Sequence, residues 1–238
     1  LNKVSSRIFY DVVDGKKIYP GGLLRDTEDE RDIKLERVGG IFAFLGFQEY
    51  KPKHDRWIVP TLEIKNQVPH NTCGWNSSTS QKEDDEQTLL SVRGLVSIAR
   101  REKLVSGNGF SQLRDNMKVI KNFGIPEERF VSNEEDPNWE TYSNFPLSQE
   151  LLDNAYLHRS QSYAQVDGRN QVLKLLDQNK TIHTGSDWYS GFNMRGGFNH
   201  PFIIDKKEGW LIGGHAYKMV GYDQNYYGQG MHLVFQNS

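Results

Sequence analysis

The sequence predicts an α+β protein of two lobes, a helical one followed by a β-rich one, with a functional cleft between them. Three observations carry this expectation. Apolar residues recur with helical period between 74 and about 123; short β-prone runs broken by glycines dominate after about 160; and an aperiodic stretch at 131–146, rich in Asn and Pro, separates the two. A boundary between lobes of different architecture is where binding and catalytic clefts commonly form.

Taken in order, residues 1–55 are polar and irregular. They hold a turn at Pro20-Gly21-Gly22, a charged stretch from Arg25 to Arg31 and a short apolar run near Ile41. They read as an N-terminal arm or pro-segment-like extension wrapped around a domain at 56–238. In the helical lobe, about 66–140, Val92, Leu95, Val96 and Ala99 share one face at i, i+3, i+4, i+7, and Leu113, Met117 and Ile120 repeat at i, i+4, i+7. In the β-rich lobe, about 141–238, two further helices are expected. Ser148 can cap 149–157, and Asp167 can cap 169–178, where Val172, Leu173, Leu175 and Leu176 supply the buried stripe. Strands are expected in the runs at 160–166, 181–186, 209–221 and 231–236, with Asn225 to Gly230 as a hairpin tip. The acidic cluster Glu83 to Glu86 reads as a solvated helix end.

Composition excludes several classes of function. At 238 residues the chain can bury a substantial core. Its 29 basic and 31 acidic residues nearly cancel, and no dense Lys/Arg run marks a nucleic-acid partner. The longest apolar runs, such as 41–47, fall far short of the roughly 20 residues of a membrane span. No basic-then-apolar leader is read at the N-terminus. One cysteine permits no intramolecular disulfide and fits a reducing setting, cytoplasmic or virion-associated. No Cys/His cluster has metal-ligand spacing, so neither a metal nor a cofactor is expected.

That cysteine lies in Asn66-Gln67-Val68-Pro69-His70-Asn71-Thr72-Cys73-Gly74-Trp75, directly before an expected helix. A helix N-terminus favours thiolate over thiol. A Gln side chain six residues upstream can turn its amide N–H toward the same point as the Cys73 backbone N–H, and two converging donors would form an oxyanion hole. Among the seven histidines, His215 is the best placed base. It lies in Gly213-Gly214-His215-Ala216-Tyr217, at the mouth of a β-prone run. The following strand returns antiparallel and brings Asn237 beside it, where the amide oxygen can accept the Nδ1 proton of His215 and fix the ring.

With these residues in place the chain resembles the papain-like cysteine peptidases, of a bacterial or viral type. Gln67 and Cys73 keep the interval of that family's oxyanion Gln and nucleophile. The Cys73-to-His215 separation of 142 falls within the roughly 130 to 150 residues such enzymes show. Gly-Gly-His-Ala…Val-Gly-Tyr is similar to the family's His strand, and Gln236-Asn237-Ser238 to its Asn-Ser motif. Between these anchors Leu90-Ser91 to Val96 and the loop Gly107-Asn108-Gly109 also resemble family segments, so the resemblance spans about 60 to 238. A weaker likeness at Gly22-Leu23-Leu24-Arg25-Asp26 through Arg31-Asp32 is to the arm of bacterial and viral members. The sequence departs from the pattern at Trp75, displaced by Gly74, and in lacking half-cystines.

The resemblance implies catalytic roles for Cys73, His215, Asn237 and Gln67, and substrate binding by Gly107, Asn108, Gly109, Phe110 and Gly214, with Phe110 narrowing the pocket. The expected activity is hydrolysis of peptide bonds in a peptide or protein substrate, through an acyl-enzyme intermediate. Two alternatives stand beside it: a catalytically silent structural or binding module incorporated in a larger assembly, and a cell-wall peptide or isopeptide hydrolase. His70 is a rival base but reads as a surface residue. His183 reads as a strand residue facing the second lobe. Trp188, Tyr189, Phe192 and Phe198, flanking Gly191, Gly196 and Gly197, form an aromatic loop that packs the lobe or lines the cleft.

Overall fold

The computed structural model describes residues 9–10, 17–18, 22–26, 29, 34–35, 49–67, 69–134, 136–194 and 207–237. In chain order the elements are β1 (Phe9–Tyr10), β2 (Lys17–Ile18), β3 (Leu23–Leu24), β4 (Arg56–Ile58), α1 (Cys73–Glu86), α2 (Val92–Arg101), β5 (Ser111–Gln112) and α3 (Leu113–Asn122). There follow α4 (Trp139–Ser143), α5 (Gln149–Leu157), α6 (Gly168–Leu176), β6 (Ile182–Tyr189), α7 (Ser190–Met194), β7 (Leu211–Asp223), a 3₁₀ turn (Tyr226–Gly228) and β8 (His232–Gln236). The α+β, two-lobed expectation holds.

The helical lobe closes on one apolar cluster. Val92, Leu95, Val96 and Ala99 of α2 are all buried, as the periodicity requires, and they meet Trp75, Leu90, Val119, Ile120 and Ile125. Burying such side chains contributes about 1.5–3 kcal/mol each. The cluster continues to Tyr142 on α4 and Ala155 on α5. The stretch read as a plain connection thus contains α4, whose start Asn138 caps by accepting from Glu140 N. Five residues show no helical period, which is why it was invisible in the sequence. Ser148 caps α5 through Leu151 N at 3.2 Å as expected, whereas Asp167 precedes α6 without a side-chain cap bond.

The second lobe is organised by β7. Its residues 211–219 pair with β6 and 221–223 with β4, while Gly214 pairs with β3 and 218–223 with β8, all antiparallel. Since each residue has two hydrogen-bonding edges, β6 and β4 share one edge of β7, and β3 and β8 the other. Leu173 and Leu176 of α6 pack with Val59, Ile182, Met219 and Tyr222 on this sheet. The expected strand at 160–166 is absent; among the described residues Gln165 forms an isolated parallel bridge to Lys34.

α1 lies between the lobes, against α2 and α3 on one side and β6 and β7 on the other. Residues 73–80 are buried all round. Small polar side chains suit this position because they let elements approach closely while finding partners. Ser77 Oγ meets His183 Nδ1 at 2.8 Å, and Ser80 Oγ accepts from Lys218 Nζ at 2.8 Å.

Candidate active site

Cys73 is the first residue of α1 and is fully buried. Its Sγ accepts the Ala216 backbone N–H at 3.4 Å, which places it beside the residue that follows His215 on β7. The helix start was expected to favour the thiolate. Here burial outweighs it, pushing the thiol up to about 11 against the smaller opposing effect of the Ala216, Gly74 and Cys73 N–H groups.

His215 is buried and bonded to Asn237, with Nε2 at 2.6 Å from Oδ1. The antiparallel register, Lys218 opposite Gln236, brings Asn237 back to the ring as the sequence suggested. The nitrogen engaged is Nε2 and not Nδ1 as expected. An amide oxygen only accepts, so Nε2 carries the proton and Nδ1 keeps the lone pair. Nδ1 is buried with no hydrogen-bond partner among the described residues. Burial lowers the pKa of His215, and the bond to Asn237 partly opposes this. Both shifts favour the uncharged thiol and imidazole over an ion pair.

The ring of Trp188 meets that of His215 at 67°, centroids 4.7 Å apart, and itself meets Phe192 at 5.3 Å. Trp188 and Tyr189 belong to β6 and not to a loop, and Phe192 to α7. Phe198, Gly196 and Gly197 lie outside the described residues. The contact to His215 was not legible in the sequence, because it depends on β6–β7 register.

Gln67 is buried, and its carbonyl oxygen accepts from His70 N at 2.9 Å, closing the turn before the nucleophile. The loop 107–110 lies against the same turn: Asn71 N donates to Asn108 O at 3.0 Å, and Trp75 Nε1 to Gly109 O at 3.1 Å. Gly109 has φ +107, and a Cβ there would stand 2.8 Å from Thr72 Cγ2, so only glycine lets the loop sit so close. Trp75, displaced by one position from the family pattern, fixes this loop. Phe110 bridges Ser106, and its ring folds toward Gly107.

Residues 22–26 lie in the space between these walls. Leu23 is bridged to Gly214 of β7 on one side and to Ser111 of β5 on the other. Asp187, Gly214, Leu23 and Ser111 thus form one row across four strands. A Cβ on Gly22 would lie 2.9 Å from Cys73 Sγ. Gly214, expected to bind substrate, is here engaged by the chain itself.

Two other readings are corrected. His70 is buried, its Nε2 2.6 Å from Asp136 O and its ring against Tyr142 and Trp139, because α4 covers the loop that carries it. Glu83 and Asp84 are not solvated: Glu83 pairs with Lys65 at 2.8 Å and Asp84 with Lys218 at 2.6 Å, all four side chains nearly inaccessible. Among the described residues no His/Cys/Asp/Glu group is arranged to hold a metal ion, and no helix is long and apolar enough to cross a membrane.

No protein-family model matches the chain, and no curated protein matches it by sequence. Solved structures do. Xylellain, a cysteine protease from Xylella fastidiosa, superposes with a TM-score of 0.65 at 16% identity, over 90% of this chain and 88% of that one. Procathepsin B from Trypanosoma congolense gives 0.66 at 13% identity, over 92% and 82%. A digestive procathepsin L from Tenebrio molitor larval midgut gives 0.55 at 17% identity, over 79% and 60%. The fold is that of the papain-like cysteine proteases.

Proposed function

We propose that this protein is a cysteine peptidase in which Cys73 is the nucleophile, His215 the base, Asn237 its orienting partner, and Gln67 with the Cys73 N–H the oxyanion donors. The observation that carries the reading is the convergence of Cys73 Sγ, the His215–Ala216 peptide and Asn237 Oδ1, joined by the 3.4 Å and 2.6 Å contacts. A nucleophile beside a base that is in turn held by a third group is the arrangement nucleophilic catalysis requires.

In this reading Sγ bonds to the substrate carbonyl carbon as its proton passes to Nδ1 of His215. The oxyanion is held by Gln67 and the Cys73 N–H. Its collapse breaks the C–N bond, and the amine leaves with the proton from Nδ1. Water then attacks the thioester, giving a proton to Nδ1, and the thiol is restored as the acid departs. The edges at 107–110 and at Gly214 would hold the substrate backbone as added strand pairing.

One observation favours a second reading, a non-catalytic module on the same fold: Cys73 is inaccessible and its thiol is raised to about 11. The test is cleavage of a denatured protein, followed by mass spectrometry, with the intact chain and with a Gly22→Ala chain, each also as Cys73→Ser and His215→Ala. Cleavage lost in both active-site variants supports the peptidase. Absence of cleavage in every form, with Cys73 reachable by iodoacetamide, overturns it.

A further inference from the structure

We propose that the cavity between α1 and the end of β8 is a binding site for one water molecule, which bridges Asn76 to Gln236 and holds the turn before Cys73 in register with Asn237. The role given to the bridge rests on the peptidase reading; the site itself does not.

The cavity opens about 10 Å³ to a water-sized sphere, room for one water. Asn76 and Ser80 of α1, Tyr217 and Lys218 of β7, and Gln236 and Asn237 are among its lining residues. Asn76 is 1% exposed, and its amide has one possible orientation. Nδ2 donates to Thr72 O and to Thr72 Oγ1, each at 3.0 Å, so Oδ1 is the atom left over. That oxygen is buried with no hydrogen-bond partner among the described residues. Gln236 stands opposite Lys218, and directly opposed residues of an antiparallel pair share a face, here the one from which Lys218 reaches α1. Its Oε1 is likewise buried with no partner among the described residues.

Buried amide oxygens are costly to leave without a donor. Two carbonyl oxygens cannot pair with each other, and the ammonium groups nearby are committed elsewhere. Lys218 Nζ reaches Asp84 and both oxygens of Ser80, and Lys65 Nζ reaches Glu63, Glu83 and Glu128. A water brings two O–H donors, one for each oxygen, and adds no charge beside two ion pairs.

The bridge lies where it can set the geometry of the site. Asn76 is one helical turn after Cys73, and its N and Nδ2 both hold Thr72, the residue before the nucleophile. Thr72 Oγ1 in turn donates to Gln67 O at 3.5 Å. Gln236 directly precedes Asn237, which carries the contact to His215. One water thus joins the strand that presents Asn237 to the turn that presents Cys73, and Asn76 and Gln236 are positioning residues.

High-resolution diffraction from the parent chain should place one ordered water about 2.7–3.2 Å from both Asn76 Oδ1 and Gln236 Oε1. A dry cavity, or a turned Gln236 amide paired directly with Asn76, would overturn the site. In urea denaturation Asn76→Leu and Gln236→Leu should each raise the unfolding constant about tenfold, and the double variant should raise it by less than the product, because both acceptors then leave together. Effects that multiply would overturn the bridge; should Asn76→Leu fail to fold, diffraction decides alone. Positioning is read in the Gly22→Ala chain. There Gln236→Leu should lower kcat for peptide cleavage about two- to fivefold and shift its pH profile with KM unchanged, while Gln236→Glu, which keeps an acceptor, stays near the parent. A parent kcat and pH profile in Gln236→Leu would overturn the positioning role. The water in place without cleavage in any form would leave the site standing and remove the peptidase.

Discussion

The Trp188 and His215 rings meet edge to face, centroids 4.7 Å apart, on the side of the sheet where His215 also reaches Asn237. An aromatic pair of this geometry contributes about 0.5–1.5 kcal/mol beyond its buried area. The ring also lies near Tyr217, centroids 6.1 Å apart, and in the peptidase reading Trp188 acts as a positioning residue. Trp188→Ala in the Gly22→Ala chain should lower the rate of peptide cleavage about two- to tenfold and shift its pH profile, while Trp188→Phe recovers most of the loss. An unaltered pH profile in Trp188→Ala would assign the contact to packing alone.

Lys218 and Asp84 tie β7 to α1 through a buried ion pair at 2.6 Å, supported by Ser80 Oγ on Lys218 and by Thr181 Oγ1 and Leu62 N on Asp84. Removing one partner leaves a buried charge uncompensated. Lys218→Met should destabilise the protein by about 3–5 kcal/mol in urea denaturation, and the double change Lys218→Met with Asp84→Leu should recover much of it. A loss below about 1 kcal/mol would mean that water reaches the pair.

His183 is partly buried against α1, its Nδ1 on Ser77 Oγ and its Nε2 inaccessible, and this burial of the ring lowers its pKa to about 3 from the ordinary 6.5. The unfolded chain therefore binds a proton at this residue between those values where the folded chain does not. Stability from this group is complete above about pH 6.5 and falls as pH drops toward 3. His70 and His215, also lowered by burial, act in the same direction. Thermal unfolding should move to lower temperature from pH 7 to pH 5, and His183→Asn should flatten that dependence. An identical slope in the variant would show that His183 is protonated at no cost to the folded state.

Much of this architecture was legible in residue order. The stripe Val92, Leu95, Val96, Ala99 lies in the helical core, and Leu173 and Leu176 in the second cluster, because burial of a helix face leaves a period that survives in the sequence. Cys73, His215 and Asn237 were also nameable, and the structure brings them together. What could not be read depends on tertiary register. The imidazole nitrogen facing Asn237 is set by β7–β8 pairing, and Trp188 reaches His215 only through β6–β7 pairing. Glu83 and Asp84 look solvated by composition, yet α1 is enclosed on both sides. Gly22 carried a turn signal, but its closeness to Cys73 follows from the pairing of β3 with β5 and β7, both distant in the chain.

Asn237 is exposed while the ring it holds is buried, so its substitution separates orientation from stability. In the neutral site its Oδ1 accepts the Nε2 proton. In the peptidase reading Nδ1 takes the thiol proton, and the same bond then becomes a bond to a charged group and strengthens, from about 0.5–1.5 to about 1.5–3 kcal/mol. On that reading the contribution is larger in the transition state than in the resting state, which is the condition for acceleration. Asn237→Ala in the Gly22→Ala chain should lower the cleavage rate about 10- to 100-fold with little change in unfolding temperature. Iodoacetamide labelling of Cys73 should then approach an ordinary thiol titration near the reference value of about 8.5. A cleavage rate and labelling profile equal to those of the Gly22→Ala chain would show that the imidazole is oriented by its strand alone, and would remove Asn237 from the site.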